Sequence, residues 1–272
     1  MRVPAVSGQF YPSERNELDS LIRELYLHPL GPGEIPTLVQ DGERRIKGGV
    51  VPHAGYIFSG PVAAHFYASL AKDGFPESFI IIGPNHYGVG SPIALSMEDF
   101  LTPYGVARID KELAKSIAKE FVDIDEQAHR YEHSIEVQLP FLQFLKREIK
   151  FVPIAMLSQE YEMAVELGKV LRDAIDGKDV VIIASSDFSH YVPKKVAYAN
   201  DMRAIEKILK GDVKGLYDVI YRYGISMCGY GAVAAMLTAT GGRGKLLKYA
   251  TSGDVQPMNE VVGYAAIKVE RL

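Results

Sequence analysis

Three runs of aliphatic residues, each ending abruptly in a turn that carries ionisable side chains, constrain this chain more than any other feature of its sequence. The clearest is Asp179 to Tyr191 (DVVIIASSDFSHY), where Val180 to Ile183 are β-branched and show no polar alternation. Such a run reads as a strand covered on both faces, at the centre of a parallel sheet. Its end delivers Ser185, Ser186, Asp187 and His190 within six residues. Ser78 to Pro84 (SFIIIGP) repeats the pattern and stops in a turn bearing His86, and a short strand through Val50 and Val51 stops at Pro52 with His53 next. Parallel strands put such ends on one edge of the sheet, where ligands bind in open α/β folds. The sequence therefore predicts one cluster.

Helical spacing fills the intervals between strands. Leu18, Leu21, Ile22 and Leu25 share a face of a helix from Glu14 to Leu27, with Ser13 as its N-cap. Ser59 and Pro61 open a second helix to about Lys72, with Pro61 in its first turn. Further helices are expected at Asp110 to about Phe121, Glu160 to Ile175, Lys194 to Leu209 and Val213 to Tyr223, and a small-residue helix follows Cys228. Lys150 to Met156 is another buried strand, Pro92 to Ser96 and Gly105 to Ile109 are shorter ones, and Leu246 to Thr251 with Val261 to Val269 suit an antiparallel pair. No internal repeat or linker divides the chain. The expected fold is a single-domain three-layer α/β sandwich over residues 1–272, with a largely parallel central sheet and antiparallel edge strands.

Composition removes several function classes. A net charge of −4 from 30 basic and 34 acidic residues, without long blocks of one sign, lacks the footprint of a nucleic-acid binder. No run approaches the ~20 apolar residues of a membrane span, and MRVPAVSGQFYP lacks the apolar core of a signal peptide. The single cysteine, Cys228, excludes an intramolecular disulfide and fits a reducing compartment, so a cytoplasmic location is expected.

One histidine at a strand end is most often a satisfied turn residue, but His53, His86 and His190 at equivalent ends favour a site. Two neutral imidazoles plus an anionic ligand hold a transition metal with positions left open. Asp187 and Cys228 both qualify as the third ligand. Cys228 precedes a helix start, where the dipole favours thiolate, while its bland alternative is a small buried hydrophobe. His129 to His133 also matches the H-x-x-E-H zinc-peptidase pattern, a short match without an identifiable further ligand. A helix beginning near Glu132 would leave His129 outside it and turn His133 alone toward the strand ends. Glu132, His133 and Glu136 read either as a solvated first helical turn or as members of the site.

PAVSGQFYP, VVPHAGYIFSG, IIIGPNHYG, EHSIEVQLPF, SSDFSHY and MCGYGA occur in the order found in the MEMO family, which this chain resembles from Pro4 to Ala232. That family is related in fold to the class III extradiol ring-cleaving dioxygenases, which hold non-haem iron(II) with two histidines and a glutamate and use a further histidine as acid/base. The resemblance implies an extradiol-dioxygenase-like fold, His53 and His86 as metal ligands, and His190 as the acid/base, with Asp187 beside it. It also turns His133 toward the cleft. Cys228 falls where the dioxygenases carry their carboxylate ligand, and a thiolate is softer, which shifts preference toward copper(I), zinc or a different iron chemistry. Family members have been described as phosphotyrosine-peptide binders and as redox proteins using copper or iron.

Three functions follow as expectations. The first is a metal-binding protein, with catalysis as an oxidoreductase as its active form, in which His53, His86 and Cys228 ligate iron(II) or copper, or zinc, and Asp187, His190 and His133 serve the chemistry. A small-molecule or peptide ligand would enter past Tyr56, Tyr87, Tyr191 and Tyr230. The second is a metal-free enzyme with Cys228 as nucleophile, His190 as base and Asp187 orienting it. The third is a module that receives a peptide's phosphate or carboxylate in the same cleft. A chelator separates the first from the second, and binding without turnover marks the third.

Overall fold

The computed structural model describes residues 1–270. In chain order the strands are β1 (Ile46–Val51), β2 (Ser78–Pro84), β3 (Ile93–Leu95), β4 (Phe100–Thr102), β5 (Gly105–Ile109), β6 (Asp123–Ile124), β7 (Lys150–Met156), β8 (Val180–Ser185), β9 (His190–Pro193), β10 (Arg243–Thr251) and β11 (Glu260–Glu270). The helices are α1 (Arg15–Leu27), α2 (Tyr56–Asp73), α3 (Lys111–Ile117), α4 (Leu139–Leu145), α5 (Tyr161–Ile175), α6 (Lys194–Lys210), α7 (Val213–Tyr223), α8 (Tyr230–Thr240) and α9 (Ser252–Val255). The main sheet runs β10-β11-β1-β8-β2-β7-β3-β6. Its centre, β1-β8-β2-β7, is parallel, while β11 joins β1 and β3 joins β7 antiparallel. This mixed α/β architecture, with antiparallel strands at the flanks of a parallel centre, is the one expected.

Burial follows the aliphatic runs. Every residue of β2 and β8 is buried, because helices cover both faces of the sheet. β1 shows how closely: a Cβ on Gly48 would meet Met236 of α8, and one on Gly49 would meet Phe66 of α2 on the opposite face. Two successive glycines let the two helix layers approach the same strand.

The beginning of the chain is tied to its middle. The buried Glu136 carboxylate pairs with Nη1 of Arg2 at 2.6 Å and accepts from the backbone N–H groups of Ala5 (2.8 Å) and Val6 (3.1 Å) and from Tyr11 Oη (2.6 Å). Glu136 is therefore no solvated helical residue. It lies in a 3-10 turn (Glu136–Gln138) that leads into α4, with Pro140 in the first turn of α4.

Several boundaries differ from expectation for local reasons. Glu14, not Ser13, occupies the N-cap of α1, and no side chain caps that helix. α2 starts at Tyr56, so Pro61 lies inside it; the carbonyl deprived of a helical donor belongs to Ile57, an exposed residue of a first turn in which Tyr56 and Ser59 are buried. α3 stops at Ile117, four residues earlier than Phe121, although Asp110 caps it by accepting from Leu113 N. β9 falls where the sequence shows only the turn after β8; it is four residues long and pairs with β11 at the sheet's rim. Among the described residues no helix is long and apolar enough to cross a membrane.

Candidate metal centre

β1, β8 and β2 end side by side, so Pro52-His53, Ser186-Asp187 and Asn85-His86 emerge at one edge. The segment before α8 brings Cys228 over that edge. Sγ of Cys228 lies 3.2 Å from Nε2 of His53 and 3.3 Å from the backbone N of Asp187. One ligand atom from each of His53, His86 and Cys228 falls within 4.8 Å of the other two. The imidazole of His133 joins them, its ring centroid 5.4 Å from that of His53 and 4.5 Å from that of His86.

Hydrogen bonds behind the rings define which nitrogen faces the pocket. The Ser185 hydroxyl donates to the Ser134 carbonyl oxygen at 2.6 Å and accepts from Gln138 Nε2 at 2.8 Å. Gln138 can only donate here, since its Nε2 also reaches the Pro52 carbonyl oxygen at 3.1 Å and its Oε1 accepts from Tyr67. With its one proton committed, Ser185 Oγ can only accept from His53 Nδ1, 2.9 Å away. Nε2 of His53 is left with a lone pair directed at the Cys228 thiol. Glu132 acts likewise on His86: Oε1 lies 2.8 Å from Nδ1, and Oε2 accepts from the His86 backbone N at 2.6 Å.

Glu132 is 2 % exposed, so it too is not part of a solvated turn. Burial alone would raise its pKa, but the hydrogen bond and charge of His86, with the His133 ring and the His86 N–H behind them, bring it down to about 2. It also accepts from Ser134 N at 2.9 Å. Three donors already engage this carboxylate, so we assign it to the support of His86 and not to a ligand set of its own with His86 and His133. His133 Nδ1 is 3.6 Å from Glu132 Oε1 and, among the described residues, has no hydrogen-bond partner although buried.

Burial holds both inner imidazoles neutral, His53 down to about 3 with help from His86, and His133 down to about 4 with help from His53. Asp187 is buried and its pKa is raised by that burial; Oδ1 accepts from the His53 backbone N at 2.8 Å. The Cys228 thiol is pushed up by burial and by the neighbouring Asp187 charge. This reverses the dipole argument: Cys228 does precede α8, but desolvation outweighs the helix end.

His190 occupies the rim and is not oriented by Asp187. Its Nδ1 donates to the Ser226 carbonyl oxygen at 2.6 Å, and its backbone N donates to Ser226 Oγ at 2.7 Å. The imidazole beside the thiol is that of His53, so the Cys228–His190–Asp187 arrangement of a metal-free nucleophile does not form. His129 turns away from the cluster, with Nε2 on the Ala94 carbonyl oxygen at 3.0 Å, which removes the zinc-peptidase pattern. Tyr56 is buried with its hydroxyl on the Val137 carbonyl oxygen, and Tyr230 packs on Tyr217, whereas Tyr87 and Tyr191 are exposed.

The donor chemistry fits a transition metal. Nε2 of His53, a ring nitrogen of His86 and the Cys228 sulfur converge, and the Nδ1 atoms of both histidines are tied back to Ser185 and Glu132. Sequence reasoning did not give Ser185, Gln138 or Glu132 these supporting roles; for Ser185 the one signal was its place at the end of β8.

Fold and cluster together define a three-layer α/β protein with a histidine and cysteine pocket at the carboxyl edge of its sheet. The chain belongs to the Memo family, whose model, described as Memo-like protein, matches residues 2–268. MEMO1 family proteins of Methanosarcina acetivorans and Methanosarcina barkeri are 48% and 45% identical to it, covering 99% of this chain and 99% and 100% of their own lengths. That of Sulfurisphaera tokodaii is 44% identical over 98% of this chain and 99% of its own. An uncharacterized protein from Escherichia coli K12 shares the fold, with a TM-score of 0.58 at 14% identity, covering 83% of this chain and all of that one.

Proposed function

We propose that this protein binds a transition metal through His53, His86 and Cys228 and serves as a metal-dependent oxidoreductase. Iron(II) and copper are the leading ions, with zinc as a third. The observation that supports this reading is the approach of Cys228 Sγ to His53 Nε2 at 3.2 Å with a His86 nitrogen within reach of both. A bound ion would supply one-electron exchange and Lewis acidity at its open positions. The chain's own residues supply the rest. Asp187 fixes the His53 backbone, His133 presents an unpaired buried nitrogen, and His190, with Nδ1 committed to Ser226, keeps Nε2 free to hold or move a proton. A small molecule or peptide would enter between the exposed Tyr87 and Tyr191, and the reducing compartment that one free thiol suits is the cytoplasm.

Elemental analysis of untagged protein purified without added metal, followed by titration with copper(I) and iron(II), tests this. Wild type should bind one equivalent, and Cys228→Ser should bind at least about tenfold more weakly, since a neutral hydroxyl replaces a soft anionic donor. Equal affinities in the two proteins would remove Cys228 from the site.

A further inference from the structure

We infer that Ser185 is a positioning residue that fixes His53 in the tautomer with its proton on Nδ1, so that a bare Nε2 faces Cys228. This rests on the proposed metal site and deepens it, because Ser185 acts on the metal position only through the His53 ring that it hydrogen-bonds at Nδ1.

Proton counting carries the argument. Ser185 Oγ has three neighbours besides its own Cβ: the Ser134 carbonyl oxygen, Gln138 Nε2 and His53 Nδ1. A carbonyl oxygen can only accept, which takes the serine proton. Gln138 is locked as a donor by Tyr67 on its Oε1 and by the Pro52 carbonyl oxygen beside its Nε2. The remaining lone pair of Oγ must then receive a proton from Nδ1. The opposite tautomer would set two lone pairs against each other in a site where Ser185 is 0 % and His53 2 % exposed, with no space for solvent to intervene.

The chain of bonds starts two links behind Ser185, at the hydroxyl of Tyr67. Tyr67 belongs to α2 and packs flat on Phe141 of α4, with ring centroids 4.8 Å apart and 6° between the planes. Helix packing on one face of the sheet is thereby converted into the protonation pattern of an imidazole at its edge. A serine serves here because its hydroxyl donates once and accepts twice at a single atom, which neither Ala nor Val can do.

Heteronuclear NMR of ring nitrogens in the metal-free wild type reads the tautomer directly. His53 should carry its proton on Nδ1 from neutral pH upward; a proton on Nε2 overturns the inference while leaving the metal reading standing. Ser185→Ala should turn His53 into a mixture of tautomers and weaken copper(I) binding, read against a chromogenic copper(I) chelator, by about tenfold to a hundredfold. Ser185→Thr, which keeps the hydroxyl, should restore both. A Ser185→Ala protein with an unchanged tautomer and unchanged affinity refutes the role. Failure of wild type to bind copper(I) or iron(II) while the tautomer is as stated would instead refute the metal reading, and with it the purpose assigned to Ser185.

Discussion

Sγ of Cys228 lies 3.2 Å from Nε2 of His53, although 175 residues separate them in sequence. With Nδ1 protonated, this contact is a thiol donating to an imidazole lone pair, and burial keeps the thiol in that state. In the metal-free protein Cys228 should therefore react with an aromatic disulfide reagent at pH 7 at least about tenfold more slowly than in urea-unfolded protein. Equal rates would show that the sulfur is thiolate and that the surroundings favour charge.

Gly229 holds the thiol at that distance. A Cβ there would meet the Ser185 carbonyl oxygen at 2.5 Å and Ser186 Cβ at 2.7 Å, both on the strand end below. Gly229→Ala should cost about 1–3 kcal/mol in urea unfolding and weaken metal binding together with it. Normal stability with lost metal would mean that the strand end yields more easily than the thiol loop.

Glu136 and Arg2 form an ion pair whose side chains are 0% and 5% exposed. Glu136→Gln strands a buried guanidinium, so the protein should lose about 3–5 kcal/mol, measured by denaturant titration. Proteolysis within residues 2–11 should accelerate in the same variant. A change below about 1 kcal/mol would mean that Arg2 finds water when its partner is removed.

Elements formed by local pattern were legible in the sequence, and the carboxyl-edge cluster with them. Ser78 to Pro84 and Lys150 to Met156 are strands with the boundaries their aliphatic runs suggest, and His53, His86 and Asp187 meet because parallel strands share an edge, over which the segment before α8 places Cys228. The roles of Glu132 and Glu136 were not legible, since their partners His86 and Arg2 lie 46 and 134 residues away. Nothing in EHSIE distinguishes a carboxylate with a distant donor from one in water. β9 escaped for another reason: its burial alternates over only four residues at a rim, too short for a periodic signal.

His129 gives the fold an acid-sensitive point outside the cluster. Burial holds its pKa down at about 4, against 6.5 unfolded, so the neutral ring is the native form. A depressed value means that its contribution is complete above pH 6.5 and is lost as pH falls from there toward about 4, by roughly 3 kcal/mol at the lower limit. His53 and His133 act with the same sign. In His129→Gln, whose amide can still donate to Ala94, the stability difference between pH 7 and pH 4 should shrink by a comparable amount. Parallel stability curves for the two proteins would assign the acid sensitivity elsewhere.

The tether between Glu136 and residues 2–11 has a consequence for how the molecule is made. A chain grows from its amino end, yet Arg2, Ala5, Val6 and Tyr11 have no carboxylate to bind until residue 136 has emerged. β1 waits longer still, for β8 on one side and β11 on the other. Cys228 arrives after all three histidines it joins. A nascent chain halted before that point therefore carries imidazoles without their sulfur and a sheet whose central strand has an open flank, and both call for shielding until synthesis passes β11.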